Sequence, residues 1–169
     1  LARQVVGEGW QSGRWFLRDE HCRLLPGDSA LGYRLPLDSL PWVSQADYPY
    51  INPVDPSQTL PPLPSPAQIQ RQLRGVWRGA SAGVQSARPA NGQSAAGIVR
   101  TALCAEPRNG TMHIFMPPLA RLEHYLELVA AIEATAADLG MPVVIEGYEP
   151  PSDPRLTHFR ITPDQIGRA

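Results

Sequence analysis

The sequence predicts an α+β fold: an antiparallel sheet of β-β-α-β-β order with one long helix packed on one face, plus an N-terminal hairpin and loop region. Three observations predict it. Asn109-Gly110 separates two segments of alternating character, "RTALCAEPR" and "TMHIFMP". The next stretch, "LARLEHYLELVAAIEATAADLG", repeats its apolar residues at helical spacing. After it, "PVVIEGY" and "RLTHFRIT" alternate again, as strands do.

In chain order, "GRWFLRDEHCRLLPGDSALGYRLPL" alternates apolar with charged residues around a polar "RDEH" break, as two short strands would, and runs into the loop-like "PGDSALGYRLPLDSLPW". Residues 1–46 are thus a strand and loop segment of the same domain. Residues 47–97 are first proline-rich ("NPVDPSQTLPPLPSP"), then rich in Gly, Ser and Ala ("GASAGVQSARPANGQSAAG"). They offer too few large apolar side chains to offset the entropy of ordering them. The expectation is a mobile surface excursion, interrupted by a short helix around Ala67 to Val76. Residues 98–169 then carry the β-β-α-β-β core.

Within that core, Asn109 and Gly110 supply the two positive-φ positions of a tight hairpin turn. This pairs Arg108 with Thr111, Pro107 with Met112, Glu106 with His113 and Cys104 with Phe115. Alternation then puts Val99, Thr101, Leu103, Ala105, Met112, Ile114 and Met116 on one face, and Arg100, Ala102, Cys104, Glu106, His113 and Phe115 on the other. Leu122, Tyr125, Leu126, Val129, Ile132, Ala136 and Leu139 form a single helical stripe that seeks the apolar face, and Gly140 and Pro142 end the helix. His124, beside Glu123, falls at a solvated position.

Composition bounds the function. A chain of 169 residues fills one domain with a sizeable core, not two. A formal charge of -1 and a pI near 6.5 argue against a broad basic surface for nucleic acid. All 15 basic residues are arginine, so lysine nucleophiles and Schiff bases are excluded. Cys22 and Cys104 are isolated and imply a reducing compartment. No apolar run nears the roughly 20 residues of a membrane span, and the first residues lack a signal pattern. A cytoplasmic protein bound to neither membrane nor nucleic acid is expected.

The glutamate inside "VVIEGYEP" carries the functional argument. If Val143 and Ile145 face the helix, Val144, Glu146 and Tyr148 face away; likewise Phe159 and Ile161 go in while His158 and Arg160 go out. The helix-free face then gathers Arg100, Glu106, His113, Glu146, His158 and Arg160. Carboxylates with an imidazole can hold Mg²⁺ or Mn²⁺, and arginines bind phosphates and carboxylates as forks. Together these groups suit ATP-dependent activation of a carboxylate. A sheet with one solvated face shows the same alternation without any function.

Three stretches, "GEGWQSGRWFLRDEHCRLLPGDSALGYRLPLDSLPW", "RTALCAEPRNGTMHIFMPPL" and "VVIEGYEPPSDPRLTHFRITPD", resemble consecutive pieces of a bacterial amidoligase family of unknown function, found fused to transglutaminase-like domains. That family is similar to the carboxylate-amine ligases related to glutamine synthetase, which join a carboxylate to an amine using ATP and a divalent metal on an antiparallel sheet. The resemblance implies ATP with Mg²⁺ or Mn²⁺, small-molecule or peptide carboxylate and amine substrates, and neighbouring domains as partners. It makes Glu106, Glu146 and Arg160 the catalytic candidates. Glu106 and Glu146, with His113 or His158 as an auxiliary ligand, are the metal candidates. Arg100, Arg108, Glu149 and Arg34 are candidates for substrate or phosphate binding, with Arg14 beside Arg34.

The chain departs from the family pattern in two ways. Family members extend beyond it on both sides, and a further acidic strand is expected where "QIGRA" follows "ITPD". The expectation is a piece that folds without being a complete enzyme. The transglutaminase-like Cys/His/Asp module is also absent from the sequence. The alternative is a noncatalytic binding or scaffold module of a larger transglutaminase-like protein. Exposed sheet edges make a homodimer a further expectation.

Overall fold

The computed structural model describes residues 2–3, 10–11, 16, 21–27, 32–34, 40–48, 55, 57–78, 88–96, 98, 100–157, 159 and 161. Its elements are β1 (Ala2–Arg3), β2 (Trp10–Gln11), β3 (Leu25–Pro26), β4 (Tyr33–Arg34), α1 (Pro66–Arg78), β5 (Cys104–Arg108), β6 (Thr111–Met116), α2 (Leu122–Leu139) and β7 (Val143–Gly147). Two short antiparallel pairs, β1 with β2 and β3 with β4, accompany a three-stranded sheet of order β5-β6-β7. The α+β class holds.

The hairpin forms in the predicted register, with Glu106 opposite His113 and Cys104 opposite Phe115. Asn109 at φ 49° and Gly110 at φ 81° make the turn. Pairing starts at Cys104, so Arg100, Thr101, Ala102 and Leu103 do not extend the strand as expected, and Val99 lies outside the described residues.

The sheet differs from expectation in its third strand. β7 runs parallel to β6, with Ile114 beside Ile145 and Phe115 beside Glu146, so the sheet is mixed. The helix explains this. Eighteen residues of α2 span about 27 Å and return the chain to the start of β6, from where the next strand runs in the same direction. Of the last predicted strand, residues 155–157, Phe159 and Ile161 are described, and none is in a strand. Phe159 and Ile161 are exposed and do not face the helix. His158 and Arg160 lie outside the described residues, as does Arg14.

Ile114 and Met116 of β6 bury against Leu128 and Ile132 of α2, with Met112, Tyr125, Val129 and Val143 packed around them. α2 ends as its sequence dictates. Gly140 sits in the left-handed region at φ 62°, its N–H reaching Ala137 O, while Met141 N reaches Ala136 O at 3.0 Å. This pair of bonds satisfies carbonyls the helix leaves open.

A second helix covers the far side of α2. Ile69 and Leu73 of α1 bury against Ala130, beside Leu126 and Ala131. α2 therefore has two buried faces where one stripe was expected, and the order of layers is sheet, α2, α1. α1 starts on a reciprocal cap: Ser65 N donates to Gln68 Oε1 at 2.7 Å and Gln68 N to Ser65 Oγ at 3.4 Å, with Pro66 as first helical residue. Farther along, Ala95 is buried and donates its N–H to Trp42 O at 2.9 Å. Parts of the expected excursion are thus tied to the body of the protein. His124 also differs from expectation, packing edge-on to Trp10 with ring centroids 6.3 Å apart.

Candidate functional site on the open face of the sheet

Burying Met112, Ile114 and Met116 against α2 forces His113 and Phe115 to the opposite face, and the same alternation sends Glu106, Arg108 and Glu146 there. The result is a continuous polar chain. Arg108 donates from Nε and Nη2 to Glu106 Oε2 at 2.9 and 2.7 Å, and from Nη1 to Glu146 Oε2 at 3.1 Å. His113 Nδ1 lies 2.7 Å from Glu146 Oε1. An ionised carboxylate only accepts, so Nδ1 carries the hydrogen and Nε2 is the nitrogen that remains for a ligand. Beneath the network, the Arg108 guanidinium lies 5.3 Å from the Phe115 ring centroid, within cation–π range.

These contacts set the charges. Hydrogen bonding from His113 holds the Glu146 carboxyl below the usual glutamate range, against the opposing effect of burial and with help from Arg108. Hydrogen bonding to Glu106 raises the Arg108 pKa further. Two carboxylates face one guanidinium, so the cluster carries one negative charge in excess when the imidazole is neutral.

Other predicted residues go elsewhere. Arg100 donates to the carbonyl of Pro41 and anchors the preceding segment. Arg34 is exposed in β4, in a separate sheet. Glu149 follows β7 and acts through its charge on Tyr125, whose hydroxyl burial already pushes up. Tyr125 packs on the helix-covered side of the sheet. A recess lined by Phe16, Trp42, Arg88 and the Asn91-Gly92 turn shares no residue with that cluster.

Of the expected metal ligands, Glu106, Glu146 and His113 come together around the Arg108 guanidinium, and His158 lies outside the described residues. Arg108 lies between Glu106 and Glu146, both oxygens of Glu146 are engaged, and Glu106 gives Oε2 to the same guanidinium. A divalent cation binding both carboxylates would have to displace Arg108. Among the described residues no three His, Cys, Asp or Glu side chains are grouped to hold a metal. As arranged, the residues do not fit one.

A second ionic cluster escaped the sequence reasoning. Asp153, whose side chain is 1% exposed, takes Arg155 Nε at 2.8 Å, Nη2 at 2.6 Å and its backbone N–H at 2.9 Å. Arg155 also reaches Glu123 Oε1 and Pro61 O, both at 2.8 Å. It ties the loop after β7 to the first turn of α2 and to the proline-rich stretch before α1. The Asp153 carboxyl is held low by the Arg155 hydrogen bond. Partial burial pushes Glu123 up, but bonds from its own backbone N–H and from Arg155 bring it below the usual range. The local signal was "SDPR", an aspartate two residues before an arginine in a proline-flanked turn.

Fold and cluster together define an α+β protein whose sheet is covered by α2 on one face and carries a charged cluster on the other. The chain belongs to the family described as Putative amidoligase enzyme (DUF2126), whose model matches residues 1–166. No curated protein and no solved structure gives a match.

Proposed function

We propose that this chain takes part in ATP-dependent ligation of a carboxylate to an amine, and that its open sheet face handles the proton of the amine. ATP supplies the phosphoryl group that activates the carboxylate. The amine nitrogen then attacks the carbonyl carbon, the C–N bond forms, and the C–O bond to the leaving phosphate breaks. The nitrogen must also lose a proton, and His113 Nε2 takes it. The observation that carries this reading is the 2.7 Å pair between His113 Nδ1 and Glu146 Oε1, which fixes the tautomer and orientation that a base requires. Family membership supports the reaction class.

The test is ATP-driven hydroxamate formation, with hydroxylamine as amine and a panel of amino-acid and peptide carboxylates. Turnover that falls about 100-fold or more in His113→Ala is the expected result. Turnover unchanged in that variant would overturn the role of His113. A second reading, a noncatalytic scaffold, is favoured by one observation: Glu106, Arg108, Glu146 and His113 already engage one another in a continuous chain of contacts. Absence of turnover with every carboxylate would support it.

A further inference from the structure

We infer that Arg108 is the resident cation of the open face, standing where a divalent metal would bridge Glu106 and Glu146, and that the cluster receives the amine substrate as an ammonium ion. This rests on the ligase reading for its biological meaning, but not for its test.

Three observations lead to it. First, the guanidinium contacts both carboxylates at once, at 2.7 to 3.1 Å, and is backed by the Phe115 ring. A planar fork with several donors and a ring behind it is held more firmly than a single ion pair. Second, with the imidazole neutral the two carboxylates outnumber the guanidinium by one negative charge, so the cluster in that state attracts a cation in preference to phosphate. Third, the atoms left for a ligand are acceptors. Both Arg108 contacts to Glu106 fall on Oε2, leaving Oε1, and the bond to Glu146 occupies Nδ1 of His113, leaving Nε2. Glu106 and His113 sit directly opposite each other on β5 and β6, which places their Cβ atoms about 5 Å apart. A primary ammonium has three N–H donors, enough to engage a carboxylate oxygen and an imidazole nitrogen together. The divalent cation expected from the resemblance is replaced here by an arginine, and the cation that comes and goes is the substrate.

The experiment is NMR titration of the full chain in three arms: ethylammonium in metal-free buffer, Mn²⁺ alone, and inorganic phosphate. Saturable shifts of Glu106 and His113 with ethylammonium, weakened at least fivefold in Glu106→Gln, are expected. Mn²⁺ should leave both signals sharp, and phosphate should leave them unmoved. Saturable Mn²⁺ broadening lost in both Glu106→Gln and Glu146→Gln would overturn the proposal by showing a metal site. Phosphate shifts lost in Arg108→Ala, or no response to ethylammonium, would overturn the ammonium assignment. None of these outcomes depends on turnover, so the ligase reading stands or falls separately in the hydroxamate assay.

Discussion

At the scale of single residues, two glycines of the sheet show how local geometry sets a cost. Gly110 has φ 81° and open space where a Cβ would point, so Gly110→Ala carries only the left-handed penalty, about 1 kcal/mol. Gly147 has φ 92°, and a Cβ there would come within 2.8 Å of Met116 N and O. Backbone cannot step aside as a side chain can. Gly147→Ala is expected to cost about 3 kcal/mol or more, and chemical denaturation of the two variants checks the order. Met116, 2% exposed at the centre of the sheet–helix core, should lose about 2–5 kcal/mol on change to Ala. The sequence disclosed the turn and the pairing of Glu106 with His113, because Asn-Gly specifies one hairpin register. It did not disclose that His113 would bond Glu146 in preference to Glu106. That choice depends on the neighbouring strand and on Arg108, which reaches Glu106 first.

At the scale of elements, the sequence revealed the two β5–β6 strands, α2 and β7, because each carries its own period and its own stop signal. Strand direction was not local information. A helix of α2's length dictates a parallel return, and an antiparallel reading assumed the hairpin pattern would repeat. The second face of α2 was hidden because Ala130 and Ala131 are small, and small residues on a helix become visible as a contact only once α1 is in place. Ser65, Pro66 and Gln68 did encode the start of α1, as cap, first residue and reciprocal acceptor. Ile69→Ala should therefore loosen α1 while leaving the open face intact. Hydrogen exchange is expected to rise at least tenfold in α1 and to stay unchanged in β6, with the ethylammonium response of His113 preserved.

At the scale of the whole molecule, distant pieces are joined by ions that sequence spacing could not connect. Arg155 links the loop after β7, α2 and Pro61 across 94 residues, and Asp153→Ala should lower the melting temperature by several degrees. The carboxyls of Asp153, Glu123 and Glu146 all lie below their ordinary values of 3.8, 4.5 and 4.5. A depressed pKa contributes stability that is present above the ordinary value and is lost as pH falls through the folded one. Melting temperature should hold down to about pH 5 and drop below about pH 4, with a shallower drop in Asp153→Asn. The molecule thus packs one side of the sheet against α2 and on the other holds an oriented imidazole beside the buried Phe115 ring. The most direct test of that arrangement is the ¹⁵N spectrum of the His113 ring in the intact chain. A ring protonated on Nδ1 with an unprotonated Nε2, reverting in Glu146→Gln, is the predicted result; a ring protonated on Nε2, or one indifferent to Glu146, would contradict it.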